Sequence, residues 1–248
     1  MRKLFPLLLL LYFNLSAQVN DADAFFNGSY DKGVVRKNKI KQVNVDISID
    51  GKNSTRYTFE FDRKGFLLKE TITNATGKKV NDYTFTYNDH GDQTSRKNNA
   101  YELGKTYETS FNKKYSGAKL ISESSSELPY TTLISYNNQG QKLLATTYLG
   151  NDTINDPKRH MSYHYDGSGK LIMMVQTLST SKNTHPTDSV ITKFSYDDAG
   201  KLNLIDRNGQ TEYRFIYDSK GLLKTRETII ADGWNDSKIV DEFSYTFW

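Results

Sequence analysis

The 248-residue chain contains no cysteine, which excludes disulfide bonds, thiolate chemistry and an acylated lipoprotein cysteine. An excess of charge of one sign is also lacking: 33 basic residues stand against 29 acidic ones. Near-neutral mixed charge gives no electrostatic reason to expect nucleic acid or anionic lipid as the partner. No phosphate-binding loop, nucleophile elbow or dinucleotide fingerprint is present. Proline, methionine and tryptophan are scarce, at 4, 4 and 2 residues. Beyond the first 17 residues no window holds a convincing helical period outside 20–37.

The single long apolar run lies at the start. Arg2 and Lys3 precede an apolar stretch from Leu4 to Phe13, followed by the small pair Ser16-Ala17. This pattern predicts a secretory signal peptide over 1–17, too short for a membrane span and cleaved after Ala17. The mature chain then carries 31 basic and 29 acidic residues. An exported product, periplasmic or secreted and from a Gram-negative bacterium, is expected, because secreted eukaryotic chains of this kind more often carry disulfides. Residues 18–38 form an N-terminal segment, and 39–248 a single domain.

What the chain does have is aromatic residues, 17 Tyr and 13 Phe, and an internal repeat. An aromatic residue, then Asp or Asn, two free positions and Gly recur as FDRKG (61–65), YNDHG (87–91), YNNQG (136–140), YDGSG (165–169), YDDAG (196–200) and YDSKG (217–221). A seventh copy, FNKKYSG (111–117), carries two extra residues. The strand before each anchor alternates aromatic and polar residues, as in Tyr57, Phe59 and Phe61 or Tyr213, Phe215 and Tyr217. Period two with aromatics on one side predicts strands with one face buried and one wet. Asp at the first turn position caps the following amides, and Gly at the fourth accepts positive φ, giving a hairpin with a bulge. Asp62, Asp166, Asp197 and Asp218, with Gly65, Gly169, Gly200 and Gly221, are therefore turn residues. Asn208-Gly209 signals a two-residue hairpin on the other side of the repeat. About sixteen antiparallel strands are expected from Lys39 onward, joined as a meander. The predicted fold is an all-β meander of repeated hairpins, curled or partly closed.

At these residues the chain resembles the YD-repeat or RHS family, whose unit centres on Tyr-Asp-x-x-Gly-x-Leu. YDGSGKL (165–171) and YDDAGKL (196–202) match in full, YDSKGLL (217–223) matches with Leu222 in the usual Lys place, and YNNQGQK loses the Leu. In the large members of that family such strips of sheet coil into a shell around a toxin. This chain is more similar to the small exported repeat proteins without a toxin domain, which the resemblance associates with sugar binding.

Candidate chemistry is thin. His160 and His164 on one strand stand about 13 Å apart, too far to share a zinc. His90 lies in a turn and His185 in a loop, so no metal site and no cofactor is expected. Asp197 is a turn residue, and the neighbouring Asp198 has no counterpart acid in the other copies. No converging carboxylate pair nominates a glycosidase, and the expectation is a noncatalytic protein. The tripeptides at 152–154 and 188–190 resemble a bacterial O-glycosylation acceptor. The basic run RKNKIK (36–41) either blunts an exposed sheet edge, the favoured reading, or forms a polyanion patch. Ligand contacts are sought among Trp234, at a hairpin tip, and Tyr163, Tyr165, Tyr196 and Tyr217, which offer flat apolar rings with polar tips. The leading expectation is binding of a cell-envelope or extracellular partner, with glycan first among ligand classes. The alternative is a structural scaffold acting through protein-protein contacts, and a polysaccharide-active enzyme ranks third. An outer-membrane barrel is disfavoured because DQTSRKNNA (92–100) offers no apolar face to lipid.

Overall fold

The computed structural model describes residues 32–248, apart from 118, 127–129, 150–156, 179–188 and 232–235. A short helix, α1 (Lys32–Lys37), precedes sixteen strands. They are β1 (Ile40–Ile49), β2 (Lys52–Phe61), β3 (Leu67–Asn74), β4 (Lys79–Tyr87), β5 (Gln93–Ala100), β6 (Lys105–Ser116), β7 (Lys119–Ser125) and β8 (Tyr130–Tyr136). The second half comprises β9 (Lys142–Leu149), β10 (Pro157–Tyr165), β11 (Leu171–Leu178), β12 (Val190–Tyr196), β13 (Leu202–Arg207), β14 (Thr211–Tyr217), β15 (Leu223–Ala231) and β16 (Asp236–Phe247). Each strand pairs antiparallel with the next, and β1 pairs with β16 over Ile40–Ile49, so the sheet is a closed barrel. The expected meander is present, but it closes completely rather than only curling.

Closure has its cause in the two faces of the strands. Residues directly opposite across a ladder share a face, and the aromatic face is the one removed from water. One buried cluster gathers Met161, Tyr163, Leu171, Phe194, Ile205 and Phe215, with Tyr165, Tyr196 and Tyr217 packed against it. A second gathers Val35 of α1, Ile40, Val43, Phe59, Phe61 and Leu222. The opposite face carries Asn44, Asp46, Arg56, Lys97, Glu108, Arg214 and Glu242 at mid-strand, with an Arg56–Asp46 ion pair of 2.6 Å across two strands. The interior is therefore aromatic and the exterior wet. β1 has a partner on both sides, so no sheet edge exists there for RKNKIK to protect. The edge reading of that run is corrected: Arg36 and Lys37 end α1, and Lys41 lies on β1.

The turns behave as the repeat predicts. Asp218 Oδ1 accepts the amides of Lys220 and Leu222, Asp166 those of Ser168 and Lys170, Asp62 those of Lys64 and Phe66, and Asp197 that of Lys201. After each anchor the register slips by one residue, which is the expected bulge. In the seventh copy the slip falls at Tyr115, so Tyr115 rather than Phe111 is the anchor, and its glycine follows two residues sooner than in the other copies. Asn208 and Gly209 both have positive φ, as a type I′ hairpin requires.

Tyrosine hydroxyls, those of four anchors and of Tyr245 on β16, also lock one repeat to the one before. The Tyr196 hydroxyl donates to the Leu171 carbonyl at 2.8 Å, Tyr217 to Leu202 at 2.7 Å, Tyr245 to Leu223 at 2.6 Å, Tyr136 to Leu120 at 2.9 Å and Tyr87 to Leu67 at 2.9 Å. The lysine that comes after the turn glycine reaches over the next anchor ring, Lys170 over Tyr196 and Lys201 over Tyr217, each at 5.1 Å. A neutral hydrogen bond and an exposed cation–π contact each add roughly 1 kcal/mol.

Helix α1 lies at the end of the barrel that carries these turns. A Cβ on Gly65 would stand 2.6 Å from the Lys32 carbonyl oxygen, at a φ of +86°. Gly77 has a similar φ of +80° but open space around it. Both Gly65→Ala and Gly77→Ala should lose about 1–2 kcal/mol for placing a Cβ at positive φ. Gly65→Ala should lose more, because it also displaces α1 and the buried Val35. Urea unfolding of the two variants checks this, and equal losses would contradict the seating of α1.

Candidate functional site: the polar sector of the barrel interior

The interior is not uniformly apolar. One row of inward residues runs around the wall as Val43, Phe59, Glu70, Tyr83, Asn98 and Tyr107, each directly opposite the next on β1 to β6. Val43 and Phe59 belong to the second apolar cluster. Glu70 comes next at 8% exposure, and at the far end Tyr107 is 45% exposed although it shares this inward face. Solvent therefore reaches Tyr107 on β6, whereas Glu70, three strands away in the same row, is shielded from it. The neighbouring row places Phe85, Arg96 and Thr109 side by side, with Thr109 buried.

This wall combines rings with fixed polar groups. The Arg96 guanidinium lies 5.6 Å from the Tyr83 ring centroid. The Asn98 amide oxygen is buried and has no hydrogen-bond partner among the described residues. Further round, Lys113 faces Glu123 and Glu123 faces Thr132 on the same inward side. Burying amide and charged groups costs free energy unless they are paired, so this sector is a poor way to fill a core. Carboxylate, guanidinium and amide beside aromatic rings form the set of groups that a hydroxyl-rich ligand requires.

Two other buried charges have local roles. Asp241, 1% exposed, accepts from Arg226 Nε on the neighbouring strand, and burial raises the Asp241 pKa while Arg226 opposes that. Lys142 occupies the place of the motif leucine in YNNQGQK, is almost fully buried, and lies 5.7 Å from the Tyr163 ring centroid.

The residues nominated from sequence fall elsewhere. Tyr163 is buried in the first cluster, and Tyr165, Tyr196 and Tyr217 pack against it half-buried. Tyr196 and Tyr217 spend their hydroxyls on the Leu carbonyls of the preceding repeats. Trp234, His185, the 152–154 tripeptide and Asp188 lie outside the described residues. His160 pairs with Thr146 at 3.2 Å and His164 with Ser162 at 3.3 Å. Among the described residues no group of histidine and carboxylate side chains could hold a metal ion. The sequence reading passed over Glu70, Arg96 and Asn98. No period in β5 marks them, because that strand is polar on both sides; the register that sets Arg96 opposite Phe85 and Asn98 opposite Tyr83 places them inward.

No protein-family model and no curated protein matches the chain. The resemblance to YD repeats therefore rests on the repeated motifs and on the turns they build. Among solved structures the chain is similar to a porin-like protein from Bacteroides uniformis, with a TM-score of 0.55 and 11% identity over 84% of this chain and 98% of that one. It also matches a chain in the structure of TcdB2-TccC3-Cdc42 at a TM-score of 0.36 and 17% identity, covering 73% of this chain and 10% of that chain, a likeness too low to bear on the fold. The first similarity shows the fold alone, an antiparallel β-barrel.

Burial pushes the Glu70 pKa up to about 7 from 4.5, against the opposing attraction of Arg96. The native state therefore holds this proton more tightly than the unfolded chain. Its contribution to stability is fully present below about 4.5 and is lost as pH rises through about 7. A displacement of this size corresponds to about 3 kcal/mol. Glu70→Gln should unfold at higher urea than the wild type at pH 8 and at nearly the same urea at pH 4.5. An equal difference at both pH values would contradict the burial of an ionisable Glu70.

Proposed function

We propose that the protein is a noncatalytic exported β-barrel that binds a glycan in the polar sector of its interior. The observation that carries this reading is the inward row from Glu70 to Tyr107, where buried polar groups meet solvent-reached aromatic rings. Tyr83, Phe85 and Tyr107 supply flat apolar faces for sugar rings. Glu70, Arg96 and Asn98 supply acceptors and donors for hydroxyls. The signal-like residues 1–17 support export to the envelope or beyond.

A pore through the outer membrane is the reading that the porin-like neighbour suggests, and a closed meander with an even strand number is compatible with it. The exterior argues against it. Lys97, Glu108, Arg214 and Glu242 lie on the outward face at mid-strand, and lipid-facing Arg or Lys costs about 2–4 kcal/mol at the bilayer midplane. The alternative, a scaffold role, would act through the outer faces of the strands, because closure leaves no unpaired edge among the described strands.

Isothermal titration of the mature chain against neutral and acidic oligosaccharides tests the proposal. Binding of one class is expected, weakened about tenfold or about 1.4 kcal/mol by Asn98→Leu and by Arg96→Met, with circular dichroism unchanged. Binding indifferent to both substitutions, or no binding across the panel, would overturn it.

A further inference from the structure

The basic run at 36–41 lost its edge-blunting role when the sheet closed, and the structure gives it company. At the seam between β1 and β16, the turn end of the barrel gathers Lys32, Arg36 and Lys37 of α1, Lys39 and Lys41 of the chain entering β1, Arg63 and Lys64 of the β2–β3 turn, and Lys220 of the β14–β15 turn. All of these are exposed. The acids nearby are Glu60, Asp62, Asp218 and, on the β4–β5 turn beside Lys32, Asp89 and Asp92; Asp62 and Asp218 already accept turn amides and Asp92 accepts from the Tyr115 hydroxyl. In a chain whose overall charge is close to balanced, this is a local concentration of cations.

Aromatic rings, Trp248 and Phe247 exposed and Phe66 half-buried, organise that concentration. Lys41 Nζ and Arg63 Cζ each lie 5.3 Å from the Trp248 ring centroid. Lys220 Nζ lies 5.5 Å from the ring of Phe247, and Lys32 Nζ lies 3.3 Å from that of Phe66. Trp248 is itself tied down, its amide donating to the Lys39 carbonyl at 2.9 Å. Like charges held against one ring repel each other, and an anion set between them relieves that repulsion. Cation–π contacts restrict the lysine and arginine side chains in advance, which reduces the ordering cost of binding.

We infer that this seam is a docking surface for an acidic polysaccharide, with the cations meeting its carboxylate or sulfate groups. A polymer suits the site better than a lipid surface. The aromatic rings are covered by cations instead of projecting bare, and α1 is six residues long with its one buried apolar residue, Val35, turned into the barrel. The surface is separate from the interior sector and does not depend on it.

The test measures retention of the mature chain on immobilised heparin, on neutral dextran and on vesicles containing phosphatidylglycerol, from 50 to 300 mM NaCl. Retention on heparin alone, falling steeply with salt, is expected. Lys41→Gln with Arg63→Gln should weaken it about tenfold and flatten the salt dependence, with circular dichroism and the urea midpoint unchanged because both side chains are exposed. Asn98→Leu should leave it unaltered, which distinguishes this surface from the interior site. Equal retention by the double variant, binding no stronger than to dextran, or preference for the vesicles would overturn the inference.

Discussion

The pairing of β1 with β16 is the interaction on which the rest of the structure depends. It joins residues about 200 positions apart, with Val43 opposite Tyr245 and Val45 opposite Phe243. An open sheet of sixteen amphipathic strands would leave its aromatic face wet and two edges unpaired. Closing it removes both liabilities at once, because the face turns inward and every described strand gains two neighbours. The apolar clusters, the seating of α1 over the turn end and the gathering of cations at the seam are all consequences of that closure.

Within the closed wall, order is propagated locally. Tyr87, Tyr136, Tyr196 and Tyr217 each bind the leucine carbonyl of the repeat before, the turn aspartates hold their own amides, and Lys170 and Lys201 after the glycine bridge to the next ring. Such nearest-neighbour links are the way repeat proteins accumulate stability. The interior changes character along the sheet. Gln93 and Lys142 take the place of the motif leucine after Tyr87 and Tyr136, while Glu70 and Glu123 lie in copies that keep it as Leu67 and Leu120. Copies that keep the full motif, at Tyr165 and Tyr196, line the apolar side.

Strands, turns and faces were legible in the sequence because each is written over a few residues: Asp218 to Gly221 for a turn, Tyr213 to Tyr217 for a face. Closure was not legible, since no local signal in Val43 or Tyr245 specifies its distant partner. The polar sector was missed for a related reason. Arg96 and Asn98 fall in a strand that is polar on both sides, and only the register against Phe85 and Tyr83 shows which side is in. The opposite error touched RKNKIK, where an edge was assumed for a strand that has none. The tyrosines nominated as ligand contacts are now seen in or against the apolar cluster, whereas Trp248, exposed and flanked by two cations, received no weight from its sequence position.

Since the chain has no native cysteine, the seam can be probed by one engineered pair. Asn44 and Ser244 are directly opposite on the outward face of β1 and β16. The double variant Asn44→Cys, Ser244→Cys should form an intramolecular disulfide under mild oxidation, in monomers and without loss of β-sheet circular dichroism. Free thiols, or disulfides only between molecules, would contradict a closed barrel and with it the inward placement of the aromatic face.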